Sequence, residues 1–104
     1  MKYKEFLEYL ETNLEGYQTF MKKARQYQSE KNAKRPAKSR WNDDKIEKAA
    51  YNMWKQAMES LYNNLKNEIK SDFRFAWTDF IEKNNIFEVV NDSISEMDFS
   101  DDAA

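Results

Sequence analysis

The sequence predicts an all-α fold, a small bundle of three to four helices with crossed packing. Three observations carry that expectation. The 104 residues include one glycine and one proline, so tight turns are scarce. Apolar residues recur at spacings of three and four over most of the chain, the period of an amphipathic helix. Where those runs pause stand residues with short polar side chains: Asn42, Ser71, Asp72, Asn84 and Asn85.

The first helix is expected over about residues 2–28. Tyr3, Leu7, Leu10, Leu14, Tyr17, Met21 and Ala24 form one stripe, widened by Phe6, Phe20 and Tyr27. Glu5, Glu8, Glu11 and Glu15 lie on the other face early, and Lys22, Lys23 and Arg25 late, in keeping with the helix dipole. Gly16 lies off the stripe, which suggests a close backbone contact or a slight bend. Residues 29–41 have no apolar period and contain Pro36, which disfavours helix for itself and for Arg35. They are read as a basic linker.

A second helix is expected over about residues 42–70. Asn42 is a good N-cap, Asp43 and Asp44 follow in the positive first turn, and Trp41 and Ile46 have the spacing of a hydrophobic staple. Ile46, Ala50, Trp54 and Met58 form one i+4 row, and Leu61, Leu65, Ile69, Phe73, Trp77 and Ile81 another. An i+4 row drifts around a helix of 3.6 residues per turn, by about 40° per step. One straight helix could not hold both rows against one partner, so a break is expected near Ser71-Asp72. A third helix over about 73–83 would bury Phe73, Ala76, Trp77, Phe80 and Ile81. Asn84-Asn85 would end it. Asn85 with Glu88 would cap a short fourth helix over about 86–95, its buried side Ile86, Phe87, Val90 and Ile94. Residues 1–97 are read as one helical domain and 98–104 as a frayed acidic tail.

Composition narrows the function. The chain has no histidine and no cysteine, which removes the commonest general base, the best soft metal ligands and the thiol nucleophile. One glycine cannot make a phosphate-cradling loop. Catalysis is therefore not expected, and neither a metal nor another cofactor. Asp43, Asp44 and Glu47 are read as first-turn carboxylates. No run of apolar residues is long enough to span a membrane. The first residues do not resemble a secretory signal, and the cytoplasm is the default location. Lysine outnumbers arginine 13 to 4 and there are 10 asparagines, the usage of an AT-rich coding sequence such as that of a low-GC bacterium, its phages or its mobile elements.

The net charge of −2 conceals a gradient: residues 1–40 sum to +5, 41–67 to zero and 68–104 to −7. Two ends therefore invite partners. The expected function is a non-catalytic protein-binding domain, an inhibitor, adaptor or assembly subunit. It would use an apolar and aromatic helix face, through Met58 and Tyr62, and an acidic C-terminal segment in which Asp98, Asp101 and Asp102 surround Met97 and Phe99. The excess of apolar surface on the second helix would also suit a homodimer. The alternative is nucleic-acid binding through Lys31, Lys34, Arg35, Lys38 and Arg40, with Trp41 stacking on a base.

Overall fold

A single long helix is the spine of the molecule, and its N-terminal cap is the one the sequence advertises. The computed structural model describes residues 1–99. Among them run α1 (Tyr3–Asn13), α2 (Gly16–Ala33), a 3-10 turn at Ala37–Ser39, α3 (Asp43–Ile69), α4 (Arg74–Lys83) and α5 (Ile86–Glu96), with no strand. The α3 helix starts at Asn42, whose side chain accepts the Lys45 backbone N–H at 3.0 Å. Its 27 residues span about 40 Å at 1.5 Å per residue, most of a molecule measuring 49 × 24 × 22 Å.

The expected first helix is two helices. The break comes at Leu14, which is buried and extended (φ −95°, ψ 116°). Both pieces run antiparallel to α3, in series. Tyr3 packs on Tyr62 with ring centroids 4.9 Å apart, and Glu11 reaches Tyr51 and Trp54. Tyr17 and Phe20 continue on Trp54, and Arg25 meets Glu47. The break also admits α5. Gly16 at the start of α2 is buried, and its N–H donates to Asn91 Oδ1 at 2.7 Å. A Cβ there would lie 2.5 Å from that oxygen and 2.9 Å from Ile94 Cδ1. A side chain at 16 would have to displace the ends of Asn91 and Ile94, so glycine suits the close approach of α5, and the bend is a full interruption rather than a slight one.

The other corners lie close to where they were expected. Lys70 closes α3 in the left-handed conformation (φ 54°), and Ser71 Oγ accepts the Phe73 N–H at 3.2 Å. Asn85 separates α4 from α5, but by its backbone: it is left-handed (φ 52°) and makes no side-chain cap, so the Asn85–Glu88 capping box does not form. The linker is shorter than expected, because α2 continues to Ala33.

Two aromatic clusters centre the core. Trp77 stacks on Tyr62 at 5.1 Å, meets Phe6 at 5.9 Å and donates its indole N–H to the Ser71 carbonyl at 2.6 Å. Trp54 is enclosed by Tyr17, Phe20 and the carboxylate of Glu11. Leu7, Leu10, Leu14, Met21, Ile81 and Ile94 are buried with them in one contiguous cluster. Phe73 departs from expectation. As the N-cap of α4 it has extended backbone (φ −67°, ψ 130°), so it leaves the helical row it seemed to share with Trp77 and Ile81 and points to solvent.

Candidate interaction surfaces

The residues expected to bind a protein are mostly turned inward. Met58 is 3% exposed, inside the core, which takes its side chain off the surface. Tyr62 is half-buried, its hydroxyl donating to the Met1 carbonyl at 2.6 Å and its ring held between Tyr3, Phe6 and Trp77. Tyr51 donates its hydroxyl to Glu11 at 2.8 Å; burial, and then that hydrogen bond, pushes its pKa well above the ordinary tyrosine value. The wide apolar face of α3 is thus covered from within: α1 takes the stretch near Tyr62 and α2 the stretch near Trp54.

The C-terminal anchors are also used internally. Phe99 meets Phe20 edge-on at 5.0 Å, and Met97 packs against the core. Lys23 secures the turn between α5 and this segment. Its ammonium donates to the carbonyls of Ile94 (2.9 Å), Ser95 (3.1 Å) and Met97 (3.1 Å), groups a helix end leaves without partners. Asp98 is exposed. Asp101 and Asp102 lie outside the described residues.

The basic segment is an ordered loop. Asn32, in the last turn of α2, brackets Trp41: its Oδ1 accepts the Trp41 N–H at 2.8 Å and its Nδ2 donates to the Trp41 carbonyl at 3.1 Å. The Arg35 guanidinium lies 3.8 Å from the centre of the Trp41 ring and donates to Asn32 Oδ1 at 3.2 Å. Arg40 donates to the carbonyls of Arg35 (3.2 Å) and Ala33 (3.3 Å). Lys31 sits over Tyr27, 5.2 Å from its ring centre. Lys34 and Lys38 are exposed. Four of the five cations and Trp41 thus lie in one ordered loop, with Lys31 beside it in the last turn of α2, and Arg35 covers one face of Trp41.

Sequence reasoning missed a third surface. Phe73 is 80% exposed and Phe75 79%, at the corner between α3 and α4; Val89 on α5 is 58% exposed. Beside Phe73 opens a cleft of about 440 Å³ lined by Lys66, Lys70, Ser71, Asp72 and Phe73. The available signal was Phe75, which fits no stripe. Two residues from Phe73, it marks the point where the i+4 row stops describing a helix face.

Among the described residues no group of three or more acidic side chains is arranged to hold a metal ion, and no helix is long and apolar enough to cross a membrane. The chain matches no protein-family model and has no significant match to a curated protein or to a solved structure.

Proposed function

We propose that the chain is a non-catalytic protein-binding module, an inhibitor, adaptor or assembly subunit, whose contact surface is the α3–α4 corner. The observation that supports this reading is the exposure of Phe73 and Phe75 in a chain that otherwise folds its large aromatic side chains against itself. Exposed aromatic rings close together are the material of an interface centre. Each ring covered by a partner would contribute about 1.5–3 kcal/mol. Lys66, Lys70 and Asp72 around the neighbouring cleft supply a polar rim.

The test is the double variant Phe73→Ser/Phe75→Ser. Neither ring is in the core and serine is a good N-cap at position 73, so the melting temperature stays at or above that of the wild type. A partner recovered by the wild-type chain from its own cells is lost with the variant. Light scattering on both proteins shows whether that partner is a second copy of the chain. Equal recovery by both proteins would overturn the reading.

A further inference from the structure

Charge in this molecule is separated along its long axis. The second half of α2, the loop at 34–42 and the first turns of α3 meet at one end, joined by Arg25–Glu47 and by Asn32–Trp41. Residues 22–48 carry ten cations and four carboxylates, a net +6, whereas the remaining residues carry seven cations and fifteen carboxylates, a net −8. A chain with a sequence pI near 5.2 thus has a strongly positive pole. We propose that this pole binds the phosphate backbone of a nucleic acid.

The kind of partner follows from what the pole presents. A protein interface needs a desolvated centre of aromatic or aliphatic anchors. The large apolar side chains exposed among the described residues are Phe73, Phe75 and Val89, at the α3–α4 corner and on α5. None lies at the pole. Backbone recognition of nucleic acid needs cations and little apolar surface. The pole supplies them in an ordered arrangement. Arg35 lies over Trp41 and donates to Asn32, and Arg40 is tied to the carbonyls of Arg35 and of Ala33 at the end of α2. Lys34 and Lys38 reach solvent. With one face of Trp41 taken by Arg35 and the cations spread around the loop, the proposed contact runs through phosphates and is independent of sequence. The pole and the phenylalanine corner stand at opposite ends of α3, about 40 Å apart by helix rise, so both surfaces can be occupied at once.

The experiment is fluorescence anisotropy of a labelled DNA duplex titrated with the full chain over a range of salt. The clean variant is Lys34→Gln/Lys38→Gln, because both side chains are exposed and hold nothing in the fold. The wild type binds at low salt, and log K falls linearly with log salt. The variant binds about 10-fold more weakly at about 50 mM salt, and its slope is shallower by about 1.8, the loss of two phosphate contacts. Lys2→Gln/Lys4→Gln removes the same charge from exposed positions away from the pole and leaves binding at the wild-type level. Phe73→Ser/Phe75→Ser also leaves it unchanged, which separates this proposal from the protein-binding reading. No binding by the wild type at low salt overturns the proposal. So does an equal loss with Lys2→Gln/Lys4→Gln, or displacement of DNA by polyglutamate at equal charge. Binding to phosphatidylserine vesicles without binding to the duplex overturns it too, and assigns the pole to anionic lipid.

Discussion

The two halves of α2 hold the chain together by different physics. The first half is a packing surface: Gly16, Phe20 and Lys23 take α5 and the segment after it, through a backbone contact, an aromatic pair and a set of capped carbonyls. The second half faces the basic loop and the start of α3 through polar groups: Arg25 with Glu47, and Asn32 with Trp41 and Arg35. Apolar burial supplies most of the free energy of folding, whereas exposed ion pairs and loop hydrogen bonds contribute little net. The first half therefore belongs to the cooperative core. The second half, where the positive pole lies, is the part expected to open first. Function placed on the less stable part of a fold can change without threatening the rest.

The largest expected effect breaks the first half. Gly16→Ala drives a Cβ against Asn91 Oδ1 and Ile94 Cδ1 and disturbs the Gly16–Asn91 hydrogen bond. Overpacking of this kind costs about 1–3 kcal/mol, offset in part by the better helix propensity of alanine. The melting temperature falls by about 4–8 °C per kcal/mol of net loss. In an Asn91→Ala background, where the nearest clash is gone, the same change costs less. A cycle showing no coupling between positions 16 and 91 would mean that α5 does not depend on the glycine.

A smaller effect is expected from Asn32→Ala, which unties the second half. The amide of Trp41 loses its acceptor, a local cost of about 1–2 kcal/mol. Because the loop opens on its own, hydrogen exchange over residues 34–42 accelerates by about 10-fold while the melting temperature barely moves. If the melting temperature fell as far as in Gly16→Ala, the two halves would unfold as one unit and the contrast between them would be lost.

These differences explain what could be read in the sequence. Helix ends set by local chemistry were legible: Asn42 caps α3 as its sequence context implies, and the break after Ile69 lies beside Ser71-Asp72. Events set by tertiary contact were not. The stripe from Tyr3 to Ala24 is continuous, and Gly16 announced a close contact or a slight bend but not the full break at Leu14, which accompanies the approach of α5 to Gly16. Missing that helix end left α3 short of cover, and so Met58 and Tyr62 read as surface residues when Met58 is buried in the core and α1 with the first residues of the chain encloses Tyr62. Phe73 was misread for the converse reason. Its row of i+4 neighbours is real in sequence, but the turn at Lys70 takes residue 73 out of the helix that would have buried it. The basic loop was legible as charge; its order was not, since Asn32 and Trp41 are nine residues apart and nothing local marks them as partners.

The smallest effect tests the polar half alone. Glu47 accepts from Arg25 Nε at 2.6 Å and from Nη2 at 2.9 Å, a two-pronged pair on the surface. Those hydrogen bonds, outweighing the opposing effect of burial, hold the Glu47 carboxyl below its ordinary pKa. A carboxyl depressed in the folded state stabilises the fold above its unfolded pKa. The contribution fades as pH falls through the folded value, where the proton displaces the guanidinium. Both side chains are about half exposed, so solvent screens the pair and Glu47→Gln costs at most about 1 kcal/mol at neutral pH. The difference in stability between wild type and variant should narrow as pH drops below the ordinary glutamate range, and should shrink in high salt at neutral pH. A difference that stayed constant with pH would place the value of Glu47 in packing, and would make the second half of α2 more like the first.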